Sequence, residues 1–284
     1  MSMEGMMTEK SVGVVVVTHN SGDQLRETLQ HLGEGNNPRT RVWIVDSGST
    51  PSAVPPADIG DRVIACANYG YGSSVNVAVR EGLDADWIAV INPDSRIALT
   101  ELERLASIAS ESGVNVTSAQ LDVKDESGGH FSSLPTPPWK RRERVLRPME
   151  NGFIEVLSVQ GAVMLIDRET FHQIDGFDED FFLYFEEVDL CVRARQNGSA
   201  VAYFPGVSAT HLGESSSMEV QPAWRAAERA RGKYIYMKKH YGRISAILSA
   251  LKDVIASDAP LSVARHLTRD PRKGLPMPAR ARSN

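Results

Sequence analysis

Three apolar runs in this 284-residue chain each lead into polar residues that can bind nucleotides or metal ions. Thr18 and Asn20 follow the first run, Asp46 follows the second, and Asn92 and Asp94 follow the third. If these runs are neighbouring parallel strands, their carboxyl ends lie at the edge of the sheet where open α/β proteins bind ligands. The alternative is that Asp46 and Asp94 only begin turns, as Asp-Ser-Gly and Asn-Pro-Asp sequences commonly do.

These residue types are suited to a nucleotide and its metal ion. A carboxylate at Asp94 can hold a divalent cation that bridges a diphosphate as a glycosidic bond breaks. Asp46 can accept the N3 proton of a pyrimidine base, and Thr18 can help to fix the nucleoside. His211, which ends a short run before a serine-rich stretch, can complete the ligands of the metal; an ordinary surface histidine is the alternative.

The densest acidic group stands at the start of a predicted helix and contains Glu186, Glu187 and Asp189. One of these carboxylates can deprotonate an acceptor hydroxyl group, and adjacent carboxylates raise the pKa of each other. Carboxylates in a first helical turn also favour the positive end of the helix dipole without any catalytic role. Both interpretations stay open on the residues alone.

A loop of small residues, NYGYGSS at 68–74, precedes a predicted helix and lets the backbone approach a ligand closely. We expect Asn68, Gly72 and Asn76 to contact a nucleotide there, and a plain turn is the alternative. The loop has neither the Gly-x-Gly-x-x-Gly spacing nor the Lys-Ser or Lys-Thr ending of a P-loop, which argues against dehydrogenases and NTPases.

Short β-branched runs alternate with segments of helical period, and they predict the elements that position these residues. Strands are expected near residues 12–17, 41–46, 63–66, 87–91 and 115–119, and helices near 24–32, 74–82 and 100–111. After a long mobile loop at 122–151, a second block is expected on the same sheet, with a strand at 159–166 and helices at 169–174 and from 186 to before 198. This alternation predicts an α/β fold with a mainly parallel, doubly wound sheet.

Composition limits the class of protein. A hydrophobic content of 42% supports a sizeable core, and a net charge of −5 argues against a nucleic-acid binder. No run reaches the roughly 18 to 20 apolar residues of a membrane-spanning helix, and the first ten residues do not resemble a signal peptide, so we expect a cytoplasmic protein. Cys66 and Cys191 lack metal-ligand spacing and are expected to be buried thiols.

Taken in order, the motifs resemble the inverting family 2 glycosyltransferases of the GT-A fold: VVVVTHNS, VDSGS, NYGYGSSVN, NPDS, QGAVMLIDRETF and GFDEDFFLYFEEVDLCVRARQNG. Within that family the chain is most similar to bacterial rhamnosyltransferases, especially actinobacterial ones, that use dTDP-rhamnose. The resemblance implies a catalytic domain at 11–220, with a nucleotide half at 11–120 and an acceptor half at 152–220. We expect a disordered segment at 1–10, amphipathic helices at 221–258 and a basic disordered tail at 259–284 around it.

The resemblance also implies roles for single residues. Thr18 and Asp46 would bind the nucleoside, Asn92 and Asp94 would form a variant Asp-x-Asp motif, and Asp94 and His211 would bind Mg²⁺ or Mn²⁺. Asn92 departs from the family pattern. Because an amide supplies no negative charge, we expect weak metal binding before the donor arrives.

The Glu-Asp pair of the family is occupied here by Glu186 and Glu187, so the usual base position carries Glu in place of Asp. We predict that Glu187 is the base. Glu186 and Asp189 remain alternatives, because the longer side chain shifts the carboxylate by about one methylene group. Gln160, Gly161 and Asp189 are expected to line the cleft for donor and acceptor.

The sequence therefore predicts a single displacement with inversion, in which Glu187 deprotonates the acceptor and the diphosphate of the donor leaves. The expected donor is dTDP-rhamnose, with a UDP-sugar still open, and the expected acceptor is a glycan that is lipid-linked through a polyprenyl diphosphate or belongs to the cell wall. A sugar-1-phosphate nucleotidyltransferase and a noncatalytic glycan-binding protein are the alternatives, and a homodimer stays open.

Positive charge accumulates after residue 221 and suggests a further partner. The basic residues there include Lys238, Lys239, Arg265, Arg269, Arg272, Lys273, Arg280 and Arg282. They are either solvated helix faces or a surface that docks on anionic lipid headgroups. We expect docking, which would place the protein on the inner face of the plasma membrane beside a polyprenyl-diphosphate acceptor.

Overall fold

The computed structural model describes residues 10–33, 35–122, 130–212, 222–257 and 260–269. The first half contains β1 (Val12–Thr18), α1 (Gly22–Leu32), β2 (Arg41–Ser47), β3 (Arg62–Cys66), α2 (Tyr71–Arg80), β4 (Trp87–Ile91), β5 (Ser95–Arg96), α3 (Leu99–Glu111) and β6 (Val116–Asp122). The second half contains β7 (His130–Phe131), β8 (Leu146–Pro148), β9 (Ile154–Val156), β10 (Ser158–Val159), β11 (Val163–Asp167), α4 (Arg168–Gln173), α5 (Glu186–Gln196), β12 (Val201–His211), α6 (Pro222–Ile255) and α7 (Pro260–Leu267). The predicted segment at 1–10, except Lys10, and the tail beyond residue 269 lie outside the described residues.

The large sheet has the strand order β3-β2-β1-β4-β11-β6-β12-β9-β8, and β5 pairs with the end of β12. Along this path β11 and β9 are antiparallel to their neighbours, and the strands from β3 to β4 are all parallel. The predicted mainly parallel sheet is confirmed. All residues of β1 are buried, as expected for a parallel strand that is covered on both faces.

Helices cover both faces of this sheet, which confirms the doubly wound arrangement. Alternate residues of β1 point to opposite faces, so that Val14 and Val16 join one core cluster and Val15 and Val17 join the other. The first cluster takes its helical residues from α1 and α3. The second takes them from α2, α4 and α5 and includes Cys191, where burial raises the pKa of the thiol to about 11. Cys66 is half-buried.

Helix α2 begins at Tyr71, earlier than the predicted start near residue 74. Gly70 precedes it with a φ of 112°, and a Cβ at this position would overlap the carbonyl group of Phe182. The backbone N–H of Tyr71 donates to that carbonyl over 2.9 Å. A contact between distant parts of the chain therefore sets the start of the helix, and no local sequence pattern could have indicated it.

The expected loop at 122–151 is a loop over most of its described part, but the prediction was wrong for residues 130–131 and 146–148, which form short strands. Strand β7 pairs with β10, and β8 pairs with β9. Leu134 and Val145 between them are buried. Each of these strands has only two or three residues, too few to show a periodic pattern.

Helix α6 packs against the elements that precede it in the chain. Tyr236, Met237 and Ala246 of α6 share a buried cluster with Leu134 and Val145. Helix α6 is broken at Gly242, where φ is 85°. Helix α7 occupies part of the predicted disordered tail and packs on α6, so that prediction was wrong for residues 260–267. None of the described helices is long and apolar enough to cross a membrane.

Candidate active site

The carboxyl ends of β1 and β2 bring two predicted nucleotide residues together. Thr18 and Asp46 are register partners on these adjacent strands, and both are buried. Asp46 accepts hydrogen bonds from the backbone N–H and the hydroxyl group of Ser49. The hydroxyl oxygen of Thr18 has no hydrogen-bond partner in the described residues, although it is buried. Since buried hydroxyl groups are normally paired, this oxygen is available to a ligand.

Asn20 and Asn68 hold the loops around this pair. Asn20 has a left-handed φ of 55°, its backbone N–H donates to the hydroxyl of Ser49, and its side-chain oxygen accepts from the N–H of Thr50 over 2.8 Å. Asn68 accepts from the hydroxyl of Ser47 over 3.2 Å. These contacts fix the loop that follows Asp46. Both asparagines therefore lie at the carboxyl edge of the sheet and hold this loop in place.

The expected metal ligands meet although they are far apart in sequence. Strand β5 pairs with the end of β12, which places the Oδ1 atom of Asp94 3.3 Å from the Nε2 atom of His211. The side-chain nitrogen of Asn92 also lies 3.3 Å from that imidazole nitrogen. In the described part of the chain, no third His, Cys, Asp or Glu joins them to form a metal-binding group. The pair offers one carboxylate and one imidazole, both common ligands of divalent cations.

A sharp turn precedes the two glutamates at the start of α5 and sets the direction of their side chains. Tyr184 and Phe185 both adopt left-handed backbone angles, with φ of 65° and 71°, immediately before Glu186. Left-handed angles cost of order 1 kcal/mol or more for residues other than glycine and persist where the surroundings enforce them. One carboxylate oxygen each of Glu186 and Glu187 is buried without a hydrogen-bond partner in the described residues.

Burial changes the acidity of these glutamates. It raises the pKa of Glu186 well above its usual value, and the neighbouring charge of Glu187 raises it further. Burial also raises the pKa of Glu187, although backbone N–H groups and the guanidinium of Arg229 oppose that rise. A carboxylate with a raised pKa is a stronger base once it is ionised.

Tyr71 lies between the Asp94–His211 pair and the two glutamates. Its hydroxyl group donates to the carbonyl of Gly161 over 3.1 Å. Burial raises its pKa well above the usual value, and the negative charges of Glu186, Asp94 and Glu187 add to that rise. The three carboxylates therefore lie near enough to this phenol for their charges to act on it. We did not predict Tyr71 as a site residue, and its position inside the NYGYGSS loop was the only signal for it.

Gly161 lies at the junction of these groups, as expected. A Cβ at this position would lie 3.6 Å from the Cβ of Glu187 and 3.9 Å from the ring of Tyr71. Residues 160–162 separate β10 from β11, where one continuous strand was predicted. The carbonyl of Ala162 accepts from the N–H of Asn92 over 2.9 Å. This short interruption, which also contains Gln160, therefore contacts Glu187 on one side and Asn92 on the other.

Asp189 does not line the cleft, and that prediction is corrected. Its carboxylate accepts from Arg193 over 2.7 Å and from His240 over 2.8 Å, and it pairs with Lys239 at 2.9 Å. Burial alone would raise the pKa of Asp189, but the His240 hydrogen bond and the two cations together lower it. Asp189 therefore joins α5 to α6. These contacts argue against Asp189 as the base.

Asn76 is also corrected, because both ends of its side-chain amide hold the loop at Phe177, and Gly72 packs against the same residue. The side-chain nitrogen of Asn76 donates to the carbonyl of Phe177, and its oxygen accepts from the N–H of the same residue over 3.0 Å. A Cβ at Gly72 would lie 2.7 Å from the Cβ of Phe177. Because the nitrogen and the oxygen of its amide both bond to Phe177, the side chain of Asn76 holds this loop.

Helix α6 supports the turn before the glutamates, a role that the sequence analysis missed. A Cβ at Gly232 would overlap the carbonyl oxygen of Tyr184. The guanidinium of Arg229 lies 4.8 Å from the centre of the Tyr184 ring, and the rings of Phe185 and Tyr236 are 5.6 Å apart. The amphipathic pattern of α6 predicted a helix but gave no indication of which residues it contacts.

Known proteins resemble the chain in sequence. The model of the family described as Glycosyl transferase family 2 matches residues 13–175, more than half of the 284 residues. An N-acetylglucosaminyl-diphospho-decaprenol L-rhamnosyltransferase of Mycobacterium tuberculosis is 29% identical, over 92% of this chain and 96% of that protein. The rhamnosyltransferase WbbL of Escherichia coli is 21% identical, over 83% of this chain and 98% of that protein.

A solved structure shares the fold. The mannosyltransferase PcManGT from Pyrobaculum calidifontis, in complex with GDP-Man and Mn²⁺, superposes with a TM-score of 0.58 and 17% sequence identity. The superposition covers 92% of this chain and 75% of that one. The architecture that positions Thr18, Asp46, Asp94 and the glutamates is therefore the GT-A fold.

Proposed function

This chain belongs to glycosyl transferase family 2, and from that premise we propose that it moves L-rhamnose from dTDP-rhamnose onto a hydroxyl group of a lipid-linked or cell-wall glycan. The observation that carries the proposal is the position of residues 160–162, which accept hydrogen bonds from Asn92 and Ser95 beside Asp94 and lie next to Tyr71 and Glu187. The rhamnose and the lipid-linked acceptor are supported by the names of the mycobacterial and enterobacterial relatives.

We assign the base to Glu187. Its carboxylate takes the proton from the acceptor hydroxyl while the oxygen forms a bond to the anomeric carbon of the donor. The bond from that carbon to the diphosphate breaks on the opposite face, so the anomeric configuration inverts. Burial supports this role because it raises the pKa of Glu187 and so strengthens the ionised form as a base.

The donor side is formed by Thr18, Asp46 and the Asp94–His211 pair. The unpaired buried hydroxyl of Thr18 and the carboxylate of Asp46 would hold the nucleoside. Asp94 and His211 would hold Mg²⁺ or Mn²⁺, which when bound supplies positive charge to the leaving diphosphate. The 3.3 Å spacing of the carboxylate and the imidazole fits such a cation, and Asn92 beside them adds no charge.

The base assignment is tested by transfer assays with dTDP-rhamnose on Glu187→Gln and Asp94→Ala. We expect Glu187→Gln to lose about 10²- to 10⁴-fold in kcat, the usual contribution of a positioned base, and to bind dTDP normally. Asp94→Ala should lose turnover as well, together with the stabilisation that Mn²⁺ and dTDP produce jointly in a thermal shift assay.

Glu169→Gln is the matched control, because Glu169 is also in a first helical turn but is exposed on α4. It should behave as the wild type. Full activity of Glu187→Gln would refute the assignment of the base, and full activity of Asp94→Ala would refute the metal site. If the wild type transfers sugar from a UDP-sugar but not from dTDP-rhamnose, only the proposed donor is refuted.

A further inference from the structure

The second part of α6, beyond the break at Gly242, presents an apolar stripe to solvent. Ile244 is 72% exposed and Ile255 is 82% exposed, and the large side chains between them on the same face are about half exposed. The stripe consists of Ile244, Ile247, Leu248, Leu251 and Ile255. At about 100° per residue these positions fall within an arc of roughly 100°, so they form one continuous face of the helix.

Cations border this stripe on both sides. Arg243 lies about 100° to one side of Ile244, and Lys252 lies about 80° to the other side, by the same helical geometry. Asp253, the acidic residue of this segment, is half-buried and pairs with Lys233 at 2.8 Å. The exposed residues at 243–256 are therefore aliphatic or basic: Arg243, Ile244, Ile247, Leu248, Leu251, Lys252, Ile255 and Ala256.

A second exposed segment lies beside the start of this stripe. Trp139 is 62% exposed, and the ammonium group of Lys140 lies 4.9 Å from the centre of the Tyr241 ring. Val145 is buried in the same cluster as Ala246 of α6. The exposed cations of this segment are Lys140, Arg141, Arg142, Arg144 and Arg147. Glu143 among them pairs with Arg195 at 3.8 Å.

An apolar helix face with basic edges has the properties of a helix that lies in a membrane interface. Such helices bury aliphatic side chains at the boundary of headgroups and acyl chains, while Lys and Arg attract anionic lipids. Tryptophan is enriched at the same level of the bilayer. The combination of exposed aliphatic residues, an exposed tryptophan and flanking cations matches that environment in both polarity and charge.

We propose that the stripe and the 139–147 segment together form a docking face for an anionic bilayer surface, with the second part of α6 lying parallel to the membrane. The proposal rests on the proposed function in one respect, because a lipid-linked acceptor would be presented at such a surface. Charge favours a membrane over a second copy of the chain. A symmetric dimer through this face would bring its own cationic edges close together.

The docking face has a structural link to the cleft. The first part of α6 carries Gly232 and Arg229, which contact the turn at Tyr184 before the glutamates. A bilayer bound at the second part of α6 would therefore hold the glutamate side of the cleft at a fixed orientation to the membrane. An acceptor anchored by its lipid would then diffuse in the plane of the bilayer and reach Glu187 from that side.

The test is vesicle flotation of the full chain with phosphatidylcholine alone or mixed with phosphatidylglycerol, at low and high salt. We expect at least tenfold stronger binding to the anionic vesicles at low salt and loss of that preference at high salt. The double variant Ile247→Asp, Leu251→Asp should bind anionic vesicles at least tenfold more weakly than the wild type. The double variant Arg141→Glu, Arg142→Glu should lose the part of the vesicle binding that depends on salt. Val54→Asp is the control, since Val54 is an exposed aliphatic residue outside this face.

Absence of wild-type binding to anionic vesicles at low salt would overturn the proposal, and so would unchanged binding of the Ile247→Asp, Leu251→Asp variant. A wild-type dimer in solution that this variant converts to a monomer would assign the face to a second copy instead. The same variants should bind dTDP as the wild type does, because the stripe is exposed and outside the cleft. Vesicle binding without transfer activity would refute the proposed function and leave the docking face intact.

Discussion

Glu186 is buried and Glu187 is half-buried in one helical turn, and each has a buried oxygen with no hydrogen-bond partner in the described residues. Buried polar atoms without partners are costly to a fold, and negative charges close together add to that cost. Such an arrangement is expected where residues are kept for a reaction at the expense of stability. Two predictions follow at the scale of these side chains.

The first concerns stability. A glutamate in the unfolded chain titrates near about pH 4.3. Because burial raises the pKa of Glu186 in the folded state, the folded chain retains a proton that the unfolded chain has lost, and stability falls as the pH rises through this interval. We therefore expect Glu186→Gln to increase the free energy of unfolding at pH 7 by about 1 to 3 kcal/mol, because the amide carries no charge that must be buried.

Urea denaturation at pH 7 and at pH 4 measures this effect. The gain should largely disappear at pH 4, where the wild-type glutamate is protonated in both states. The exposed Glu169→Gln should stay within about 0.5 kcal/mol of the wild type at both values of pH. An equal gain for Glu186→Gln at pH 4 and pH 7 would show that the charge of Glu186 is not its cause.

The second concerns the pH dependence of transfer. Glu187 accepts a proton only when it is ionised, and burial raises its pKa. The acidic limb of kcat/KM should therefore lie above about pH 4.3, the ordinary value for glutamate, with activity rising as the pH increases through it. Steady-state rates between pH 4 and pH 8 measure the limb. A limb at or below the ordinary value would be inconsistent with a buried base.

At the scale of elements, α6 holds the turn that starts α5. Gly232 packs directly under the carbonyl of Tyr184, Tyr236 packs against Phe185, and the Asp189 carboxylate joins α5 to His240 of α6. Two successive left-handed residues are stable only when such contacts enforce them. The orientation of Glu187 therefore depends on a helix that follows it in the chain.

Gly232→Ala tests this dependence. In a helix interior, alanine normally stabilises relative to glycine by about 0.8 to 1 kcal/mol. Here the added Cβ would overlap the Tyr184 oxygen, so we expect the opposite sign in thermal denaturation together with a reduced kcat and unchanged dTDP binding. Stabilisation with full kcat would show that α6 does not position the turn.

At the scale of the whole molecule, the C-terminal helices complete the hydrophobic core. The family model ends at residue 175, before α5 and α6 begin. The cluster that contains Tyr236, Met237 and Ala246 of α6 also contains Leu134, Val145, Leu157, Phe181 and Val188 of the catalytic domain. Removing α6 would expose these side chains, and large exposed apolar patches promote aggregation.

A chain that ends at residue 221 is therefore expected to aggregate or to lose cooperative unfolding. A chain that ends at residue 269, which keeps α6 and α7, should unfold as the full chain does. Size-exclusion chromatography and circular dichroism compare the two. A monomeric and cooperatively folded 1–221 chain would show that α6 is an appendage and not a part of the core.

The sequence by itself determined the elements of the sheet and the residues at its carboxyl edge. Short β-branched runs define β1, β2 and β4, and the direction of parallel strands then places Thr18, Asp46 and Asp94 at one edge. The glutamates that begin α5 stand out as the densest acidic group, and the resemblance of their motif suggests their role. Patterns of this kind act over a few residues, so they can be recognised in the chain without knowledge of its fold.

Only the tertiary structure decided which of the candidate residues face the cleft. Asn76 and Asp189 have side chains suited to a site, but their hydrogen bonds are taken by Phe177 and by α6. Tyr71 has no motif of its own, yet it contacts Gly161 beside Glu187, and the charges of three carboxylates raise its pKa. The direction of a side chain depends on contacts between residues far apart in sequence, and neither composition nor periodicity records those contacts.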